Sequence, residues 1–345
     1  MNLKKAVGYF AILLITGAMI YGYTVFRKAF SSNTNFSNDV VYVHIPSNAT
    51  MEQSKDSIKK YVKDWEQFDK IFSQFEMDKN LIPGRFKLEK GMTNFEIAQA
   101  LRKNVPVKLT FNNQETIEDL AARIASQVEP SKEEILETLL DAEFLAENNA
   151  TKEQAISLFM PNTYEFYWNT NPLKIRNVIH KEYIRFWNAE RSDKAKALNL
   201  SPVQVSTLAS IVQKETAKVD ERPKVAGAYL NRLNQDMLLQ ADPTVVYAKK
   251  MTLQDFDTII KRVYLKDLAI VNPYNTYKFK GLPPGPIAMP DVSSIDAVLN
   301  AEKHDYIYFC ASVERMGYHE FAKTLQEHSA NRDKYTAWLN ANNIQ

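Results

Sequence analysis

The chain has 345 residues, of which 45% are hydrophobic and 24% charged, and its formal net charge is +2 at pH 7. This is the composition of a packed globular chain. Because no long run of either sign occurs, we expect no nucleic-acid partner, since such proteins usually carry a basic patch. The single cysteine, Cys310, excludes an intrachain disulfide, and the five scattered histidines form no zinc-binding pair, so we expect no metal site.

The first predicted element is a membrane-spanning helix. Ala6–Phe26 contains no charged side chain over 21 residues, which is enough to cross a hydrocarbon core of about 30 Å. A cleavable signal peptide is the alternative, but the apolar run continues through Tyr21 and Tyr23 without a small-residue cleavage site. Basic residues flank both ends, so charge barely selects an orientation. A short amino-terminal tail before a large domain favours an amino terminus inside.

A small α+β unit is predicted behind a short tether. Residues 31–40 are rich in Ser and Asn and predict a flexible segment. Val41–Ile45 predicts a strand, a helical pattern follows over Ser54–Phe75, and Phe86–Leu88 alternates as a second strand. Thr93–Glu96 is a capping-box pattern that begins another helix. A unit of this kind beside a membrane either binds a ligand or acts as a spacer.

The next block begins with alternation in Val107–Phe111, which predicts a strand. A helix with one apolar face follows over Ile117–Val128, and helical pattern continues to about Asn149. Phe159–Trp168 then concentrates aromatic residues around a proline. Aromatic side chains usually form core, although they also stack on the apolar faces of sugar rings.

One carboxylate lies where the helical pattern should be apolar. Read as a helix, Val205, Leu208, Ile211 and Val212 form an apolar stripe at spacings of three and four, and Glu215 continues it. Partial desolvation disfavours a charged carboxylate and raises its pKa, and a carboxyl group still protonated near neutral pH can act as a general acid. The alternative is a Glu at the flank of the helix that reaches water or pairs with an Arg.

The elements around this helix carry unusual polar residues. Ser201 and Pro202 suit the N-cap and first position of the Glu215 helix. A second helix is predicted around Pro223–Leu233, with Asn231 and Arg232 at its far end. Leu238–Ala248 places a Gln, an Asp and a Thr in otherwise apolar sequence, and such polar groups must find hydrogen-bond partners.

A long loop, Asn272–Pro290, contains five prolines and two of the nine glycines of the chain. Gly281 and Gly285 indicate backbone shapes that other residues do not adopt. Rigid loops on a scaffold commonly form binding sites, so we expect this loop to form one wall of a cleft, with Asn275, Thr276 and Tyr277 offering hydrogen bonds. A purely structural crossover is the alternative.

Four stretches resemble, in order and approximate separation, the signatures of the YceG-like endolytic murein transglycosylase family: IVQKETA, ERPKVAGAYLNRLNQDMLLQADPTVVYA, YNTYKFKGLPPGPI and YIYFCASVERMGYHEFAKTLQEH. The resemblance implies an α+β protein with a tail and transmembrane anchor in residues 1–30 and a tether in 31–40. It further implies a LysM-like membrane-proximal domain in 41–105 and a larger mixed α+β catalytic domain in 106–345.

The resemblance implies that Glu215 is the catalytic residue. The other family positions around the glycan cleft map onto Asn231, Arg232, Gln240, Asp242, Thr244, Tyr247, Asn275, Thr276, Tyr277, Leu282, Pro283, Pro286 and His319. It also implies that the aromatic residues of Phe159–Trp168 contact the substrate, since PNTYEF resembles the family's PDTYEF. The chain departs from the family pattern at Asn162, where an Asp is common, in AMPDVSS, which lacks the usual Asn-Pro-Gly, and at Ser329, where an Asn is common.

The implied activity is endolytic cleavage of the MurNAc–GlcNAc β-1,4 bond to give 1,6-anhydro-MurNAc ends, which trims or terminates nascent strands. It needs no cofactor. The implied partners are peptidoglycan glycan strands, the bacterial cytoplasmic membrane through one helix and peptidoglycan synthases, with the catalytic domain on the outer side. Two alternatives remain: a non-catalytic peptidoglycan-binding or scaffolding protein, and a muramidase in which Asp242 is a second carboxylate. Asp242 before Pro243 favours a turn role over catalysis.

Overall fold

The structure is a computed structural model that describes residues 3–342 except 75, 78 and 80, and for residues 3–7 it describes the backbone alone. The helices are α1 Leu3–Ala29, α2 Met51–Lys59, α3 Trp65–Gln74, α4 Asn94–Ala100, α5 Ile117–Ala125, α6 Lys132–Leu139, α7 Ala142–Glu147, α8 Pro172–Phe186, α9 Ala189–Ala197, α10 Pro202–Glu215, α11 Arg222–Asn234, α12 Asp242–Leu253, α13 Val292–Leu299 and α14 Leu325–Ala341. Short 3₁₀ helices cover Lys152–Leu158 and Asp267–Ala269.

The strands form three separate two-stranded sheets among the described residues. They are β1 Val40–Ile45, β2 Gly84–Glu89, β3 Pro106–Phe111, β4 Asn162–Tyr167, β5 Tyr308–Ala311 and β6 His319–Ala322. The sheets pair β1 with β2, β3 with β4 and β5 with β6. The predicted α+β class is therefore confirmed, with helices far outnumbering strands.

Helix α1 contains the predicted apolar segment. Residues Gly8–Ala29 have a mean hydropathy of 1.7, and their side chains are exposed apart from the partly buried Val25 and the buried Ala29. Within the part of the chain that the structure describes, this is the one helix long and apolar enough to cross a membrane. Phe30 follows the last residue of α1, and its ring centroid lies 5.8 Å from that of Phe95.

The chain divides into two compact units, and the first comprises residues up to 109 with 127–130 and 165–171. Its β1 and β2 are antiparallel, with Val43 opposite Phe86. Both side chains are fully buried with Phe68 and Ile97, which come from α3 and α4. The predicted strands and the capping box at Thr93 are therefore confirmed.

The predicted helix over Ser54–Phe75 is instead two helices, α2 and α3, and Phe75 lies outside the described residues. The break has a local cause. The carboxylate of Asp64 accepts from the backbone N–H of Gln67 at 3.0 Å, which caps a new helix. The backbone N–H of Asp64 in turn donates to Oδ1 of Asn33 at 2.6 Å. Asp at an N-cap competes with helix continuation.

The aromatic block predicted over Phe159–Trp168 coincides with β4. Phe159, Tyr164 and Phe166 are buried, and the ring of Tyr164 stacks on Phe111 with centroids 5.5 Å apart. The core interpretation is confirmed for these three side chains. Tyr167, on the other face of the strand, is 53% exposed.

The second unit comprises residues 110–126, 131–164 and 172 onward. Helix α10 contacts α9, α11, α12 and α13 as well as the 3₁₀ helix Lys152–Leu158. The β5–β6 hairpin pairs Phe309 with Phe321 and packs against α14. The helix that ends at Glu215 therefore lies in the centre of this unit.

Candidate active site

Helix α10 carries Glu215 as its last residue. Ser201 and Gln204 form a reciprocal capping box and Pro202 occupies the first turn, as predicted. Every side chain from Val203 to Val212 except Gln204 is buried. The sequence predicted a single apolar stripe, whereas the helix is enclosed on nearly all sides. Small Ser and Thr side chains made the remaining faces look solvated, but they are buried, and the hydroxyls of Thr207 and Ser210 bond backbone carbonyls of the helix itself.

The carboxyl group of Glu215 is half-buried and held by one neighbouring hydroxyl. Oη of Tyr229, a residue that is 1% exposed, donates to Oε2 at 3.1 Å. Burial raises the pKa of Glu215 from 4.5 to about 7, against the lowering effects of His319, the Tyr229 hydrogen bond and Arg232, while Asp242 raises it further. The negative end of the helix dipole acts in the same raising direction. The predicted raised pKa is thus confirmed.

A cavity of about 640 Å³ opens beside Glu215. Its walls combine apolar side chains, among them Val246, Ile260 and Ile287, with charged ones. A second cavity of about 710 Å³ shares Asp242 and Arg262 with the first. A third cavity of about 430 Å³ shares Glu115 and Tyr247 with it. We call these three connected cavities the Glu215 cleft, and their volumes are in the range of ligand-binding sites.

Asp242 begins helix α12 and faces the cleft. Its Oδ1 accepts from Oη of Tyr277 at 2.7 Å. The expected turn role belongs to Thr244, whose backbone N–H and Oγ1 both donate to the carbonyl of Ala241, at 3.0 and 2.7 Å. The Asp242 carboxylate is therefore presented to the first two cavities rather than folded back on the backbone.

Two buried threonines fix Tyr277 beside Asp242. Thr244 and Thr276 share a hydrogen bond between their Oγ1 atoms at 2.8 Å, and the Ala241 N–H donates to Oγ1 of Thr276 at 3.0 Å. Gln240 has a positive φ of 50° and its N–H donates to the Thr276 carbonyl at 3.1 Å. The backbone of Gln240 thus serves this connection, while its side chain is exposed.

The proline-rich loop is attached directly to the Glu215 helix. The Ile287 N–H donates to Oγ of Ser210 at 3.0 Å, which places Ile287 in the wall of the cavity beside Glu215. Gly281 has a φ of +79°, and at Gly285 a Cβ would collide with the backbone of Glu153. Gly281 therefore has the special backbone shape that the sequence indicated, whereas Gly285 is required by the close approach of the Glu153 backbone. The loop forms one wall of the cleft.

Asn275 is fully buried inside this loop. Its Nδ2 donates to the carbonyls of Leu268 and Ile270 at 3.1 and 2.7 Å, and its Oδ1 accepts from the Tyr277 N–H at 3.0 Å. The amide is saturated by these bonds. The expectation that it offers hydrogen bonds to a ligand does not fit this geometry, because its hydrogen-bonding atoms are used to shape the loop.

Asn231 and Arg232 also bond the backbone. Nδ2 of Asn231 donates to the carbonyls of His304 and Tyr306 at 2.7 and 3.0 Å. Arg232 is 7% exposed and donates from Nε to the Ile307 carbonyl at 2.6 Å. These bonds connect α11 to the segment before β5, and the Arg232 charge also lowers the pKa of Glu215.

His319 pairs with a carboxylate that the sequence analysis missed. Nδ1 of His319 lies 2.9 Å from Oε2 of Glu221, and the His319 N–H donates to Oε1 at 2.7 Å. Glu221 is 6% exposed and also accepts from Oγ1 of Thr216 at 3.0 Å. Glu221 therefore joins the residue after Glu215 to strand β6.

The remaining predicted residues divide between two places. Tyr247 lines the first and third cavities, with its ring 4.7 Å from that of Tyr274, and Pro286 lines the third. Leu282 and Pro283 instead line a separate cavity of about 430 Å³ that none of the Glu215 cleft residues reaches.

Sequence reasoning missed Tyr229 and the basic side chains of the cleft. Lys214, Lys261 and Arg262 line the cavity beside Glu215, together with Lys250, which bonds Glu115 at 2.9 Å. The helix ends at Glu215, and the side chains of Lys214 and Glu215 both reach this cavity. Lys261 and Arg262 belong to an irregular segment without helical or strand periodicity. Only their place in the folded chain identifies them.

The described residues contain no group of three or more His, Cys, Asp or Glu side chains that could hold a metal ion. The expected independence from metal and cofactor stays a prediction.

The model of the YceG-like family matches residues 43–334. The chain belongs to the YceG-like family. A relative from Bacillus subtilis strain 168, named endolytic murein transglycosylase, is 29% identical over 353 residues, which cover 95% of this chain and 92% of the relative. A relative of the same name from Streptococcus pneumoniae strain D39 is 38% identical over 136 residues, which cover 39% of this chain and 24% of that protein.

The fold is also similar to a solved YceG-like protein from Listeria monocytogenes. The TM-score is 0.57 at 29% sequence identity, and the match covers 85% of this chain and 99% of the solved chain. The family resemblance predicted from the four motifs is therefore confirmed.

Proposed function

We propose that this protein is an endolytic murein transglycosylase, a lyase that cleaves the MurNAc–GlcNAc β-1,4 bond inside peptidoglycan glycan strands. The names of its relatives from Bacillus subtilis and Streptococcus pneumoniae support the activity. The cleft beside Glu215 supplies a site for a polysaccharide, because apolar walls suit sugar faces and polar groups suit hydroxyls.

The observation that carries the proposal is the Glu215 carboxyl itself. It faces the cavity, and burial raises its pKa to about 7. At neutral pH a large fraction of this group therefore holds a proton, as a general acid requires, and its conjugate base is strong enough to take one back.

The reaction uses the Glu215 carboxyl twice, first as an acid and then as a base. Glu215 protonates the glycosidic oxygen as the bond from C1 of N-acetylmuramic acid to that oxygen breaks. The C6 hydroxyl oxygen of the same sugar then closes on C1, and its proton returns to Glu215. The products are a free 4-hydroxyl on N-acetylglucosamine and a 1,6-anhydro end, and no water is consumed.

Asp242 supports a second candidate function, that of a two-carboxylate muramidase. Its carboxylate lines the same cavity as Glu215, and retaining or inverting hydrolases use two such groups. In the transglycosylase scheme, Asp242 with Tyr277 instead stabilises positive charge that develops at C1. A non-catalytic scaffold is the remaining alternative, and the perturbed acid in the cleft argues against it.

The other family positions act, in this proposal, by shaping the cleft. Asn275, Thr276 and Thr244 hold the proline-rich loop so that Tyr277 meets Asp242. Asn231, Arg232 and His319 hold the elements behind Glu215. Tyr247 and Pro286 form part of the cleft wall. The backbone of Gln240 holds Thr276, and Pro283 lines a separate cavity.

The same proposal covers location and domain roles. Helix α1 anchors the chain in the cytoplasmic membrane with the amino terminus inside, which its length and apolarity support. Residues 31–40 are the tether, 41–105 a LysM-like domain and 106–345 the catalytic domain on the outer side. Placement at the membrane would let the enzyme trim or terminate nascent strands beside peptidoglycan synthases.

Product mass tests the proposal. Purified glycan strands are digested with the full chain in detergent, and the ends are analysed by mass spectrometry. Anhydro ends from inside the strand support the lyase, hydrated ends support the muramidase, and intact strands with retained binding support the scaffold.

A further inference from the structure

The Glu215 cleft contains cations that the proposed reaction does not use. Lys214, Lys261 and Arg262 line the cavity beside Glu215, and Lys266 lines the adjoining one. None of the four forms an ion pair with another residue in the described part of the chain. The guanidinium of Arg262 lies 5.9 Å from the ring centroid of Tyr264, which leaves its N–H donors available.

The acids of the cleft do not neutralise these cations. Glu115 is engaged with Lys250 at 2.9 Å, and Asp242 accepts from Tyr277 at 2.7 Å. Four basic side chains and three carboxyl groups line the cavity, and one of those carboxyls is Glu215, which is neutral when it holds its proton. When Glu215 holds its proton, the side chains that line the cavity therefore carry a net positive charge.

The segment that bears Lys261 and Arg262 is also apolar. Ile259 is 82% exposed and Leu265 is 87% exposed, while Ile260 and Val263 line the cavity. A ligand that suits this wall combines carboxylates with small apolar side chains. The sugar rings of a glycan strand carry neither, but the peptides attached to N-acetylmuramic acid carry both.

We propose that Lys214, Lys261 and Arg262 bind carboxylates of the peptides attached to the strand, so that the enzyme prefers strands that still bear their peptides. This inference rests on the proposed function, and it adds which glycan strands the Glu215 cleft prefers as substrates. Cations that bind carboxylates outside the scissile bond steer and orient the strand without touching the reacting atoms.

The test compares substrates that differ only in anionic groups. Strands are first freed of phosphodiester-linked polymers, so that carboxylates are their remaining anions. One portion keeps its peptides, a second has every carboxyl converted to the methylamide, and a third has its peptides removed by an amidase, which leaves one lactyl carboxylate on the sugar. The full chain is compared with the double variant K261Q/R262Q on all three portions.

The matched control is K174Q/K303Q, which removes two exposed cations that line none of the described cavities. Each exposed ion pair changes an equilibrium constant by only about 1.4-fold to fivefold. We therefore expect K261Q/R262Q to lower kcat/KM on peptide-bearing strands by about twofold to tenfold and to leave the methylamide strands unaffected. Raising the salt from about 0.05 M to about 0.5 M should remove most of the difference, since screening then acts within a few ångströms.

Three results would overturn the inference. Equal loss on charged and methylamide strands would mean that the two residues shape the cleft. Equal loss on peptide-bearing and amidase-treated strands would mean that the two residues do not act through the peptides. No loss on any strand would remove their role. Failure of the proposed function is separate, because the unaltered chain would then yield no anhydro ends from any portion.

Discussion

Oη of Tyr229 lies 3.1 Å from Oε2 of Glu215 and donates a hydrogen bond to it. Burial raises the pKa of Tyr229 well above its usual value, so the hydroxyl keeps its proton and remains a donor. If Oε2 is the acceptor, the acidic proton of Glu215 is carried by Oε1. Tyr229 therefore acts as a positioning residue that leaves one defined oxygen for proton transfer.

Replacing Tyr229 by Phe should slow cleavage and shift its pH dependence. The hydrogen bond lowers the pKa of Glu215, so its removal should raise that pKa and move the alkaline limb of kcat/KM to higher pH. A hydrogen bond to a charged group contributes about 1.5–3 kcal/mol, and we expect a loss of about tenfold or more. Y335F, which removes a hydroxyl on α14, is the control. An unmoved alkaline limb would assign Tyr229 a packing role only.

Replacing Glu215 by Gln should abolish formation of anhydro ends. Gln keeps the shape of the side chain but cannot donate and recover a proton. General acid–base catalysis contributes typically about 10²–10⁴-fold, and we expect the upper end because one carboxyl serves both steps. The measurement is the mass of the products, with E143Q on the exposed face of α7 as the control. Near-normal anhydro product from E215Q would move the acid elsewhere.

The same substitution should stabilise the fold in a pH-dependent way. The pKa of Glu215 is about 7 in the folded chain against 4.5 in the unfolded one, so the folded state binds the proton more tightly. Its stabilising effect is fully present below pH 4.5 and is lost as the pH rises through about 7, a difference of up to about 3 kcal/mol at pH 8. E215Q should therefore raise the Tm more at pH 8 than at pH 5. Equal shifts at both pH values would contradict a buried acid.

Replacing Asp242 by Asn separates the two enzymatic schemes. In the lyase, Asp242 is an auxiliary charge beside Glu215, so D242N should still form anhydro ends at a rate lowered by about tenfold, corresponding to about 1.4 kcal/mol. Product mass and initial rate are measured together. Hydrated ends from the unaltered chain, with a loss in D242N as deep as in E215Q, would establish the hydrolase instead.

Replacing Asn275 by Ala should weaken both stability and cleavage. The sequence alone suggested a ligand contact that could be lost without harm to the fold, but Asn275 is fully buried and bonds Leu268, Ile270 and Tyr277. Leaving such backbone groups unsatisfied costs about 1–3 kcal/mol each. We expect a lower Tm and a slower reaction because Tyr277 loses its support. N340A, exposed on α14, is the control, and an unchanged Tm would restore the ligand-contact interpretation.

Local sequence patterns predicted much of this architecture. The caps at Thr93 and Ser201, the left-handed turn at Gly281 and the end of the apolar periodicity at Glu215 are effects of neighbouring residues. They are present in the sequence because a cap or a turn needs its residue at a fixed offset. The break between α2 and α3 was equally local, but the Asp64 cap was hidden within an uninterrupted helical pattern.

The partners of the site were not predictable in this way. Tyr229 looks like one more apolar residue on α11, and Glu221 like a surface carboxylate before it. Their roles arise from contacts with Glu215 and His319 that only the folded chain creates. The family motifs pointed to Asn231, Arg232 and Asn275 as binding residues. Their side chains hold backbone carbonyls, a role that a motif does not distinguish from binding.

Glu221 also has a consequence for the dynamics of the site. Through Thr216 and both polar groups of His319, this single buried carboxylate fastens the end of α10 to strand β6. Opening of the β5–β6 hairpin would break these bonds and release the chain just after the acid. The hairpin and the last turn of α10 should therefore exchange their amide hydrogens as one cooperative unit. How firmly the Glu215 carboxyl is held in place would then depend on a two-stranded hairpin that follows it by about a hundred residues in the sequence.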